Sequence, residues 1–193
     1  MINVRRARPD DAPGIAAVHV AAWRSAYAGI LDEAYLAHLS ETRLAAFYHR
    51  AILDRAGGHA VFVAAAGGSD RPEDAAGPEE ASIIGFASGG KARRTGLAEG
   101  EVETLYVLDD YRERAVGRRL MRAMAAHLRA IGCGSALVWV LSDNPANWFY
   151  RHLGGKPVMT EEIRVAGRPV QQSAYAWDPI DVLLSATASV KEG

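Results

Sequence analysis

Apolar and polar positions along this chain switch between two periods, and each switch marks the boundary of an element. From Glu101 to Leu108 aliphatic, aromatic and β-branched residues dominate, which predicts a strand. From Val116 the apolar residues fall at Val116, Leu120, Met121, Met124, Leu128 and Ile131, the spacing of one helix face, and Gly132 stands where such a helix stops. Ala136 to Leu141 (ALVWVL) is the strongest strand signal in the chain. Because it follows that helix directly, a strand–helix–strand unit with a parallel pair is predicted.

The rest of the chain is built around this unit. Ile2 to Arg6 reads as a short first strand. Pro9 and the acidic pair Asp10-Asp11 then open a helix whose core stripe is Ile15, Val18, Ala22 and Ala26, and Gly29 breaks it. Asp32 to Arg55 predicts one or two further helices (Leu36, Leu39, Leu44, Phe47, Ile52), closed by Gly57-Gly58. Ala60 to Ala66 is a buried strand, and Ser82 to Gly89 is its hairpin partner. Between them, residues 67–81 are polar, acidic and rich in Gly and Pro, so a mobile surface loop is expected. Pro145 fits the start of a short helix and Gly154 its end. Pro157 to Val165 and Val170 to Trp177 predict a C-terminal hairpin around Ala166-Gly167-Arg168. Residues 1–180 are read as a single domain and 181–193 as a loosely held tail.

Composition narrows the function. The chain has 193 residues, 49% of them hydrophobic, enough for one well-packed domain. A formal net charge of −1 argues against a general nucleic-acid or anionic-membrane partner. No apolar run spans a bilayer and no signal-peptide pattern opens the chain. Cys133 is the one cysteine, so neither an internal disulfide nor a cysteine-based zinc site can form. Its six histidines lack metal-ligand spacing, so no metal is expected. These features suggest a reducing, cytoplasmic setting.

The junction between the central strand and helix departs from the usual charge pattern. A first helical turn favours acidic side chains, because its free N–H groups leave partial positive charge. Here that region carries Arg112, Arg114, Arg118 and Arg119, with Asp109, Asp110 and Glu113 nearby. A multiply charged anion docking there would account for the cations, and the small Ala115 and Gly117 would let it approach the backbone. A solvated face with salt-bridge partners accounts for them equally well.

Arg112-x-x-Ala115-x-Gly117, following Leu105-Tyr106-Val107, resembles the acetyl-CoA motif of the GNAT superfamily of N-acetyltransferases, Gln/Arg-x-x-Gly-x-Gly/Ala. Asn144, Phe149, Tyr150 and Gly154 resemble the second signature of that family, an Asn opening a short helix that ends Phe-Tyr-x-x-x-Gly-Phe. Gly155 replaces the usual aromatic, and Asn147 stands where alanine is common. The resemblance covers about the whole chain, with specific motifs at 101–118 and 144–154. No Walker A sequence, dinucleotide Gly-x-Gly-x-x-Gly, His-Glu-x-x-His or Gly-x-Ser-x-Gly is present.

The resemblance implies an α+β fold: a mixed, mostly antiparallel sheet of about seven strands, flanked by helices, with a parallel pair splayed at the cofactor site. It implies acetyl-CoA as co-substrate, bound by the backbone of Leu105, Tyr106 and Val107, the turn Arg112, Glu113, Arg114, Ala115, Val116, Gly117 and Arg118, and Asn144. Tyr150 matches the usual general acid. The proton acceptor is Glu101, Glu103 or a water chain; the two carboxylates share one strand face by alternation, and either could instead be a plain salt-bridge partner. Trp23 and Tyr27, one turn apart beside the first helix's stripe, are candidates for the acceptor wall, with core packing the simpler reading of Trp23. The expected reaction is direct acetyl transfer to a primary amine, of a small molecule or a peptide N-terminus. A non-catalytic CoA-binding module and an anion or nucleotide binder are the alternatives. The exposed C-terminal strands could pair two subunits.

Overall fold

The computed structural model describes residues 1–54, 56–67 and 81–188. Its strands are β1 (Ile2–Arg6), β2 (Ala60–Ala66), β3 (Ser82–Lys91), β4 (Gly100–Val107), β5 (Ala136–Leu141), β6 (Lys156–Val165) and β7 (Arg168–Trp177). Its helices are α1 (Ala12–Ala26), α2 (Glu33–Ala37), α3 (Glu41–Leu53), α4 (Val116–Ala130), α5 (Ala146–His152) and α6 (Asp181–Ala186). The strands form one sheet in the order β1-β2-β3-β4-β5-β7-β6, antiparallel at every junction except the parallel β4–β5 pair.

Each face of the sheet is covered by its own helices. Val116, Leu120, Met121, Met124 and Leu128, the predicted stripe of α4, are all almost fully buried on one face with Ala64, Ile84 and Val138. On the other face Ile15 and Val18 of α1 and Tyr48 of α3 pack on Val61, Val63 and Phe86. β2 is therefore buried on both sides, which explains its uninterrupted apolar run. Burying a leucine such as Leu120 stabilises the fold by roughly 2 kcal/mol.

β3 and β4 meet at a bulge. Their register shifts between Ser88, opposite Thr104, and Gly89, opposite Val102, leaving Glu103 as the extra residue. The backbones approach so closely that a Cβ on Gly89 would collide with the Glu101 carbonyl oxygen. Glycine is required there for want of space.

Residues 68–80, the bulk of the expected mobile loop, lie outside the described residues. The segment after Asp181 opens as helix α6 with Leu183 fully buried, rather than as a loosely held tail. Arg118, Arg119 and Arg122 of α4 tie the neighbouring chain down: they donate to the carbonyls of Ala188, Ile2 and Leu184 at 2.8, 2.9 and 3.0 Å, respectively.

Candidate functional site

The parallel pair is short. β4 and β5 pair only at Gly100–Ala136, Glu101–Leu137 and Val102–Val138, and then diverge. From Glu103 onward β4 has no ladder to β5, while β5 continues on its other side against β7 as far as Leu141. A cavity of about 660 Å³ opens at this divergence. Leu105, Tyr106 and Val107 of β4 form one wall, Val138 and Val140 of β5 another, and Tyr27, the residue after α1, a third.

The cavity floor is the turn into α4. Arg112, Glu113, Ala115, Val116, Gly117 and Arg118 all line it. Glu113 and Ala115 adopt φ of 63° and 56°, left-handed conformations that cost a non-glycine residue on the order of 1 kcal/mol each. Ala115 thus takes the positive φ that glycine would provide at that motif position, and it is the N-cap of α4. Among the described residues no side chain caps this helix, and its first turn holds no acid, so its leading N–H groups and dipole are left for a ligand.

The arginine side chains are mostly engaged elsewhere. Arg112 pairs with Asp109 at 2.7 Å. Arg114 lies over the Tyr111 ring at 5.3 Å and does not line the cavity. Arg118 and Arg119 reach the distant carbonyls described above. The Arg118 Nε is buried and finds no hydrogen-bond partner among the described residues.

Opposite the turn stand Asn144 and Tyr150, both lining the cavity. The Asn144 side-chain oxygen accepts from Ala146 N at 2.8 Å, fixing the start of α5. Asn147 Nδ2 donates to the carbonyls of Leu141, Ser142 and Asn144, so the asparagine at a position where alanine is common clamps the β5–α5 turn. Tyr150 is 5% exposed, its ring packed near Tyr175 and Trp177. Burial, reinforced by the neighbouring Tyr27, pushes the Tyr150 hydroxyl well above the ordinary tyrosine value, so it stays protonated.

The structure separates the two carboxylates of β4. Glu101 is 3% exposed, absent from the cavity lining, and clasped by Arg93, whose Nη2 lies 2.6 Å from Oε1 and whose backbone N donates to Oε2 at 3.2 Å. Glu103 lines the cavity. Its Oε2 lies 3.4 Å from His59 Nε2 and its Oε1 lies 3.8 Å from Arg93 Nε. Shared contact with Arg93 places both acids on one side of the strand. Replacing Arg93 with methionine leaves the Glu101 carboxylate buried without its guanidinium partner. We expect a loss of about 2 kcal/mol, read as a lower urea midpoint at unchanged slope.

Tyr27 is buried on the cavity wall, while Trp23 is not among the lining residues. Trp23 stands behind Tyr27, 4.9 Å from it edge-on, and stacks on His19 at 5.1 Å. Burial holds His19 down at about 4, so it is neutral and hydrogen-bonds the Tyr48 hydroxyl at 2.8 Å. Among the described residues no helix is long and apolar enough to cross a membrane, and no three His, Cys, Asp or Glu residues converge as a metal site.

Against known proteins, the model of the acetyltransferase (GNAT) family matches residues 23–154, a span that contains the splayed strands, the turn and α5. The chain belongs to the GNAT family. A relative in Bacillus subtilis, the uncharacterised N-acetyltransferase YuaI, is 29% identical over 184 residues, covering 95% of this chain and 96% of YuaI. Among solved structures, PaiA N-acetyltransferase from Thermoplasma acidophilum, in complex with coenzyme A, superposes with a TM-score of 0.62. It is 16% identical and covers 90% of this chain and 98% of its own. The yncA protein of Salmonella typhimurium, solved with its cofactor acetyl-CoA, gives 0.63 at 18% identity, covering 100% and 99%.

The chain is therefore a GNAT acetyltransferase with the mixed seven-stranded sheet and parallel pair that its motifs implied. Two residues beside the candidate site carried no signal in the sequence. Arg93 and His59 belong to neither motif, and only the fold brings them to Glu101 and Glu103.

Proposed function

We propose that the protein transfers the acetyl group of acetyl-CoA directly to a primary amine, on a small molecule or a peptide N-terminus. The observation that carries this reading is the cavity at the β4–β5 divergence, where unpaired strand backbone, an uncapped helix N-terminus and Tyr150 face one another. Family membership and the ligands named for the PaiA and yncA structures support it.

The residues present fit acetyl-CoA. Main-chain groups of Leu105, Tyr106 and Val107, left free by the splay, hydrogen-bond the two pantetheine amides as a neighbouring strand would. The N–H groups from Glu113 to Arg118 hold the pyrophosphate at the positive end of α4. Asn144 borders the pantetheine arm from the opposite wall. Acetyl-CoA supplies the activated thioester. The protein supplies orientation and two proton transfers. Glu103 takes a proton from the bound ammonium, which is not a nucleophile until it loses one. Tyr150 gives its proton to the departing sulfur, whose thiol has a pKa near 8.5, and regains one from the nitrogen of the tetrahedral adduct as the amide forms. Glu101, held by Arg93, positions the strand and does not touch the cavity.

Calorimetric titration of acetyl-CoA into the purified protein, followed by thiol release across a panel of primary amines, tests the reading. Absence of binding removes it. Binding without thiol release favours the non-catalytic module, and ATP binding as tight as acetyl-CoA binding favours a general nucleotide site. Gly117→Val checks the cradle. A Cβ at Gly117 would meet the Phe149 ring at an ordinary 3.4 Å, so folding tolerates it. The branched side chain stands between the helix N–H groups and the anion. We expect the acetyl-CoA Kd to rise at least about tenfold, or 1.4 kcal/mol, with little change in Tm.

A further inference from the structure

We infer that His59 is the second member of a proton relay, receiving through Glu103 the proton that the acceptor ammonium loses and passing it to solvent. This rests on Glu103 as the base, and it adds a residue outside both family motifs.

The geometry of the ring points to this role. His59 Nδ1 lies 3.3 Å from the Ala51 carbonyl, which can only accept, so Nδ1 carries the hydrogen. The neutral ring then has its lone pair on Nε2, facing Glu103 Oε2 at 3.4 Å. The side chain is 19% exposed, so one edge reaches water while Glu103 reaches the cavity. β3 runs close to the His59 backbone, since a Cβ on Gly90 would come within 3.1 Å of the His59 Cα.

Charges around the pair come from several elements. Asp54, after α3, favours the protonated ring, as does Glu103 itself. Arg93 contacts both Glu103 and Glu101, and the Tyr48 hydroxyl of α3, bonded to His19 of α1, feels the charge of the Glu103 carboxylate. The His59 contact holds the Glu103 carboxyl below its ordinary range, and Glu103 in turn raises His59 above its own. A carboxylate is a poor final resting place for an ammonium proton, and a neutral imidazole, whose ordinary value lies about two units higher, is a better one. The step balances: an N–H bond of the ammonium breaks and an O–H bond forms on Glu103. That bond breaks as Nε2 of neutral His59 takes the proton, and the imidazolium releases it to water.

Turnover therefore requires neutral His59, and kcat/KM rises with pH along a limb whose midpoint lies above the ordinary histidine value of about 6.5. The experiment uses the amine that gives the fastest thiol release in the panel. For His59→Gln the relay predicts a fall in kcat on the order of tenfold at unchanged acetyl-CoA affinity, and loss of that limb. It also predicts partial recovery of His59→Ala by added imidazole. NMR titration of the His59 ring needs no acceptor: its midpoint should drop in Glu103→Gln. A His59→Gln profile with the limb intact, or a ring that titrates identically in Glu103→Gln, overturns the relay alone. Wild-type turnover in Glu103→Gln overturns the assignment of the base and the relay with it.

Discussion

Tyr150→Phe is expected to lower kcat about a hundredfold, at the lower end of what general acid catalysis contributes, and to leave the acetyl-CoA Kd within about twofold. The phenylalanine keeps the ring contacts with Tyr175 and Trp177, so packing survives and only the hydroxyl is lost. Thiol release measures the first quantity and calorimetry the second. Without the hydroxyl the sulfur leaves as a bare thiolate in a buried pocket, where an unpaired charge is costly. An unchanged rate would show that the proton reaches sulfur from elsewhere, and a large loss of affinity would show that the hydroxyl serves binding instead.

Gly89→Val is the substitution with the largest expected effect on stability. A side chain at that position collides with the Glu101 carbonyl and crowds Met124 Sδ and Val102 Cα, each at 3.2 Å. Backbone cannot rotate away as a flexible side chain would, so β3 and β4 must separate. Overpacking of this kind costs about 3 kcal/mol, which for a chain of this length lowers Tm by roughly 6–12 °C. Differential scanning calorimetry reads it. Activity should fall with stability, because the bulge that presents Glu103 is the same place. A variant of wild-type Tm would mean that the close approach is not maintained in solution.

Much of this architecture was legible because it is local. The α4 stripe follows from helical spacing alone, and Val116, Leu120, Met121, Met124 and Leu128 are buried as that spacing requires. The turn was legible for a related reason: main-chain N–H groups at a helix start need no distant partner, only small or strained residues such as Ala115 and Gly117. What could not be read depends on remote partners. Arg118 and Arg119 look like ligands for an anion until their guanidiniums are found on carbonyls 70 and 117 residues away. Glu101 and Glu103 look equivalent under simple alternation. The bulge at Glu103, Arg93 and His59 separate them. Trp23 carries the right chemistry for an acceptor wall, yet stands one layer back. Helix α6 is too short for periodicity to reveal, and the burial of Leu183 gives it its place.

The brevity of the β4–β5 ladder has a mechanical consequence. One half of the sheet, β1 to β4, and the other, β5 to β7, are joined along the main chain by only three residue pairs at one end of the gap. A small swing of one leaf against the other, pivoting at those pairs, leaves every other ladder intact. The width of the gap is therefore set less by strand pairing than by the packing of α4, whose buried stripe shares one core with strands of both leaves.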